Sequence, residues 1–352
     1  MKKSLLFMLL FATAASFGQV AFNEDFSTYD PGNIGTDITG MTPGQNFWYT
    51  TASNGTAPTT TTNADNTNFQ IVDAGGTNGQ VLQITGPNGD KGTRMMTQPG
   101  LPEWWAARTV GNNIIEAEFD FYTGAPTASL NNMRVLIYNA AGTQILAGLS
   151  FAMNTKVISG VAYYDNTAAG GTTTNYLFNL GPAATPTVTL PADTWVRLGV
   201  SFNKTTGQVR WKGPGFNVFV NGAATGTDPD EADIIATSGS TTTVFNTVAA
   251  VGQFDNLLVR ASATDTLLDV ARPEVAAAFK IYPVPANDVL NISNADGLLS
   301  ATVTDMNGRI VRSAAYSGAT DATIDVSDLS SGIYIINLVT SNGSKTEKFL
   351  KN

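Results

Sequence analysis

The sequence predicts an all-β protein made of two antiparallel sandwiches, a large one followed by a small one. Three observations carry that reading. Apolar and polar residues alternate along most of the 352-residue chain, the period-two signature of half-buried strands. The 34 glycines, with many Thr and Asn, fall between those runs as turn punctuation, and no long helical pattern occurs. The alternation breaks at "ATDTLLDVARPEVAAA", residues 263–278, which reads as a linker between residues 19–262 and residues 279–352.

Taken from the start, Lys2 and Lys3 precede the apolar run Leu5–Ala12 and the small residues of "TAASFG". A charged region, a short apolar region and a cleavage zone make residues 1–18 a signal peptide, cut after Gly18 to leave Gln19 first. The run is too short to cross a bilayer. No second long apolar segment follows, so no membrane span is expected in the mature chain.

Within residues 19–262, "NIIEAEFDFYT" puts Ile115, Ala117, Phe119 and Phe121 on one face and Glu116, Glu118, Asp120 and Tyr122 on the other. "WVRLGVSFNKTTGQVRW" does the same with Val196, Leu198, Val200 and Phe202 before a turn at Lys204–Gly207. "NMRVLIYNA", "FNVFVNG" and "VGQFDNLLVR" continue the pattern, and "TAPTTTTNADNTN" and "NTAAGGTTTN" are turn-rich connections. So many half-buried strands close best as two packed sheets.

From Phe279, "FKIYPVPANDVLNISN" gives two short strands around Pro283 and Pro285. "ATVTDMNGRIVRS" is a hairpin about Asn307-Gly308, since a type I′ turn needs two residues at positive φ. "ATIDVSDLSSGIYIINLVT" follows, and Asn342-Gly343 turns the chain into "KTEKFLKN". Roughly seven strands make a compact sandwich near the smallest size that folds alone.

Composition restricts the chemistry. Apolar residues form 43% of the chain, enough for a sizeable core, and the net charge is −9, or −11 once Lys2 and Lys3 are removed. Phosphate binding needs a basic face, so no nucleic acid is expected as a partner. The chain has no Cys and no His, which excludes disulfides, thiolate nucleophiles, Ser-His-Asp hydrolysis and imidazole metal sites. A metal here must be held by oxygen, which points to structural calcium.

The order of strands in the first unit resembles the concanavalin-like, laminin-G-like jelly roll. That family opens with a strand such as "FNEDFSTYDPGN" and carries a central hairpin matched by Trp195 through Gly207. It closes with a strand such as "FDNLLV". The resemblance implies that the first and last strands pair and that a structural calcium sits there, which selects Asp25 and Asp255, with Glu24 nearby. The "DPDEAD" acids Asp228, Asp230, Glu231 and Asp233 read as a solvated turn.

The second unit closely resembles the type A sorting domain of type IX secretion cargo. Its motifs are matched by Tyr282-Pro283-Val284-Pro285, by Asp305–Val311 with Gly308, and by Leu329–Tyr334 with Gly332. The terminal strand carries Lys345, Lys348 and Lys351. Val284 departs from the usual Asn of that first motif. The resemblance implies a partner in the outer-membrane translocon and a final location on the cell surface or outside the cell, reached through the periplasm. An ordered terminal strand suits a receptor that reads a folded edge, by strand addition for example. Asp265-Thr266-Leu267 also resembles an O-linked sugar site of some exported proteins, a match short enough to arise by chance.

Three features bear on the first unit's activity. Glu116, Glu118 and Asp120 share a strand face at a spacing near the roughly 5–5.5 Å that a retaining glycosidase needs. Their Glu-x-Glu-x-Asp order departs from the Glu-x-Asp-x-x-Glu of laminarinase-like jelly rolls, so they read as a solvated sheet face. Aromatic pairs occur at Trp48-Tyr49, Trp104-Trp105 and Tyr163-Tyr164, and the loop "GLPEWWAAR" makes Trp104 and Trp105 the candidate ligand contacts, because an exposed indole stacks on a sugar. The expectation is a jelly roll that binds polysaccharide, surface glycan or a surface partner. A glycoside hydrolase or lyase using Glu116, Glu118 or Asp120 is the alternative, and a non-catalytic adhesin or structural coat protein the third.

Overall fold

A computed structural model describes residues 19–76, 78–268, 280–293, 298–305, 309–340 and 343–352. The expected leader 1–18, most of the linker, and Gly308 and Asn342 lie outside the described residues. The chain divides into two compact units, the first ending at Leu268.

The described residues of the first unit form a nine-stranded and an eight-stranded sheet. The period-two pattern decides what lies between them. Ile115, Ala117, Phe119 and Phe121 of Ile114–Tyr122 meet Met133, Val135, Leu149 and Phe151 of the opposing sheet in one core. The Phe121 ring lies 5.0 Å from Phe151 and 5.1 Å from Phe254, so both sheets lock on one aromatic contact. The first strand, Gln19–Glu24, pairs antiparallel with Val251–Ser262, the last strand of the unit. After Asn203 the chain reverses on Gly207, at φ +65°, where a Cβ would lie 2.4 Å from the Ala223 carbonyl. Only glycine fits that turn.

Two local expectations are corrected. "GLPEWWAAR" is not a loop, because Leu101–Ala106 is a short α-helix with Pro102 in its first turn, where no backbone donor is required. "DPDEAD" is not wholly a turn either, because Glu231–Thr237 is a strand whose Asp233 is buried.

The second unit has a three-stranded sheet, Lys280–Tyr282, Val289–Ser293 and Ala322–Asp325, and a four-stranded one. The latter runs Ile310–Ala319, Leu298–Asp305, Gly332–Thr340 and Gly343–Lys351 in spatial order. Leu290, Ile292, Ala301, Val303, Ile336, Leu338 and Phe349 are its core.

Candidate functional site

The motifs of the C-terminal unit converge on the end of the chain. Behind Pro283 and Pro285, the Ala286 N–H donates to the Leu350 carbonyl at 2.7 Å, and the Asn352 N–H donates to the Ala286 carbonyl at 2.9 Å. The segment after Tyr282 therefore clamps the last residues of the terminal strand. Tyr334 stacks on Phe349 at 5.8 Å, and its hydroxyl donates to the Ser330 carbonyl at 2.9 Å. Asp305 accepts from the Arg309 backbone at 3.1 Å and from its Nε at 3.0 Å. Of the lysines, Lys348 is exposed, but Lys351 is buried with its Nζ donating to the Asn352 carbonyl at 2.5 Å. The Lys345 side chain lies outside what the structure describes. A Cβ at Gly332 would meet nothing closer than 3.9 Å, so no steric reason for that glycine is visible.

In the first unit, the face bearing Glu116, Glu118 and Asp120 is largely covered, with Asp120 half-buried. Glu116 is 0% exposed and Glu118 6%. Arg260 Nε donates to Glu116 at 2.6 Å and its Nη2 to Glu118 at 2.6 Å. Arg197 pairs with Glu118 at 3.1 Å and with Asp120 at 3.3 Å. The start of the expected linker completes the cover. Thr266 donates to Glu116 through its N–H at 2.5 Å and its hydroxyl at 2.9 Å, and the Leu268 N–H donates to Glu118 at 3.0 Å. Residues 263–268 are thus a strap on the first unit, seated by buried Leu267 and by Arg210 on Asp265 at 2.9 Å. Burial pushes the Glu116 carboxyl up, while Arg260 and the Thr266 donors pull it back. Catalytic acids need a groove over them, and the strap covers Glu116 and Glu118.

Asp25 and Asp255, the acids of the calcium expectation, both have partners within the chain. Asp25 is exposed and accepts from Ser27 through N–H at 3.1 Å and Oγ at 2.7 Å. Asp255 is buried and accepts from the Asn256 backbone at 2.7 Å and from Asn78 at 3.4 Å. Among the described residues no group of three or more acids is placed to hold a metal ion.

The two tryptophans part company because adjacent helical residues point about 100° apart. Trp105 lies on the inward side with Leu101 and is 2% exposed. Its indole N–H donates to Asp228 at 2.6 Å and Arg108 covers its ring at 3.9 Å, so it anchors the helix and offers no face to a ligand. Trp104 turns outward, tied by its indole N–H to the Val20 carbonyl at 3.0 Å. It lines a cleft of about 480 Å³ with Phe22, Glu24, Asn46, Phe47 and Gln98. Asn46 and Phe47 have φ of +49° and +64°, a region that asparagine tolerates and phenylalanine rarely enters, and Phe47 is 70% exposed. Glu24 accepts from the Tyr29 hydroxyl at 2.7 Å and from Asn46 at 3.0 Å, and burial pushes its carboxyl up. Gln98 donates to the Asn46 carbonyl at 3.1 Å and keeps Oε1 without a partner. Sequence reasoning singled out "NFWYT" for Trp48, which is buried, and passed over Phe47 beside it. The signal was an aromatic residue that the alternation left facing outward.

Residues 280–352 match the family model of the secretion system C-terminal sorting domain. The chain is type IX secretion cargo. Its destination is the cell surface or the outside of the cell. A curated relative, beta-agarase D of Zobellia galactanivorans, is 33% identical over 100 residues, 26% of this chain. The chain spans 20% of that relative's length. Among solved structures, the cellulose induced protein Cip1 is 11% identical with a TM-score of 0.41, over 69% of this cargo and 97% of that chain. LamAcat from Zobellia galactanivorans is 8% identical with a TM-score of 0.42, over the same shares, 69% and 97%. Alginate lyase vAL-1 from a Chlorella virus is 9% identical with a TM-score of 0.35, over 54% of this chain and 88% of its own.

Proposed function

We propose that the cargo unit is a glycan-binding module whose ligand stacks in the Trp104–Phe47 cleft, delivered outside the cell by the C-terminal domain. One observation carries the reading. The backbone at Asn46-Phe47 holds two successive side-chain-bearing residues in the left-handed region, and what this presents is a bare aromatic ring at the mouth of a polar cleft. Strain of this kind costs on the order of 1–3 kcal/mol per residue and persists where the surroundings enforce it, commonly at ligand sites. The volume falls in the usual range of about 300–1,000 Å³ for small-molecule sites. Aromatic faces for the apolar side of a sugar, with amides and a carboxylate for its hydroxyls, are the groups a saccharide needs.

The agarase relative supports a polysaccharide context, while the ion-paired state of Glu116, Glu118 and Asp120 favours binding over turnover at that face. Retention of the full chain on immobilised polysaccharides tests the reading. Trp104→Ala and Phe47→Ala should each weaken retention by on the order of 1–3 kcal/mol, taking base stacking on aromatic side chains as the nearest analogue. Trp105→Ala should instead lower the melting temperature, and unchanged retention in both cleft variants would end the proposal.

A further inference from the structure

The same cleft carries a statement about the charge of its ligand, which rests on the binding reading above. No Lys or Arg is among the residues that line it, and the charged group it holds is Glu24, with Asp25 next in sequence adding to its negative field. The partners of Glu24 are the neutral side chains of Tyr29, Asn46 and Gln98. This contrasts with the acids of the nine-stranded sheet, where Arg260 and Arg197 neutralise each carboxylate. Gln98 beside it is uncharged, and its Oε1 is buried.

We infer that the cleft takes an uncharged glycan segment and rejects uronate or sulfated ones. Sugar hydroxyls can donate to the carboxylate. A ligand carboxylate or sulfate brings only acceptors at neutral pH, so it would face Glu24 with neither a proton nor a cation between them. Like charges placed together in a partly desolvated site cost several kcal/mol, enough to decide between ligands of similar shape.

Titration calorimetry on the full chain, with neutral glucan, galactan and mannan hexamers beside a mannuronate hexamer, tests this at pH 7.5. At least one neutral hexamer should bind about tenfold or more tighter than the mannuronate. Glu24→Gln retains an acceptor for Tyr29 and Asn46 while removing the charge. It should narrow that gap several-fold, chiefly by strengthening the anionic probe. Raising salt on the wild type should likewise help only the anionic probe, a measurement that does not depend on how the variant folds. Mannuronate binding equal to or tighter than the neutral hexamers, and lost in Phe47→Ala, would overturn the charge inference while leaving the cleft in place. Absence of any Phe47-dependent binding would remove the cleft reading itself.

Discussion

On the outer face of the nine-stranded sheet, Glu116 and Glu118 are buried beneath a strap with Arg260 at 2.6 Å from each. On the outer face of the eight-stranded sheet, Asp233 is as deeply buried, at 1% exposed, but it meets Thr97, with Glu231 and Tyr138 adding no positive charge. Arg134, two register positions along that face, donates to Ser150 instead. Asp233 Oδ1 has no partner at all. Burial pushes the Asp233 carboxyl up to about 7, opposed by Thr97 and reinforced by Glu231. Burial alone therefore does not say what an acid does. A matched arginine lets the buried group stay charged, and without one the proton takes the cation's place.

The comparison can be broken from either side. Removing 279–352 has the largest expected effect, since it tests the address apart from both faces. The truncated chain should remain in the periplasm, and equal amounts of both forms in the medium or on the surface would refute the assignment. Next comes Arg260→Met, which strands two buried carboxylates and should cost about 3–5 kcal/mol in denaturant unfolding. A loss under about 1 kcal/mol would mean that the strap's backbone donors suffice alone.

Asp233 predicts the opposite response. Its folded pKa lies above the ordinary carboxylate value of 3.8, so the native state holds the extra proton between there and about 7. Stability from this group is present at low pH and declines as pH rises through that window. Each unit is worth about 1.4 kcal/mol, so the slope should total on the order of 2–4 kcal/mol. Asp233→Asn should flatten it and raise the melting temperature at pH 8. An unchanged slope in the variant would place the proton elsewhere.

Chelation is expected to do least. With Asp25 satisfied by Ser27 and Asp255 by asparagines, excess chelator should leave the melting temperature of the full chain within about a degree, because a metal stabilises only where it binds the native state. A larger drop that Asp255→Asn abolishes would support the calcium expected from the sequence.

The all-β class and the address were legible from the sequence alone. Each rests on short-range information, namely the two-residue period of a strand and motifs read within a few residues of one another. Tyr282 through Pro285 and the terminal strand were both legible, although their meeting at Ala286 and Lys351 was not. Tertiary structure decided everything that depends on distant partners. Glu116 lies 144 residues from Arg260 and 150 from Thr266, so no local pattern could separate a capped ion-pair network from a solvated face. Trp104 and Trp105 look alike in sequence, and a single turn of helix buried one and left the other half-buried. The cleft itself gathers Glu24, Phe47, Gln98 and Trp104 from separate segments, because side chains become a site only once the packing of the sheets has fixed which of them face each other.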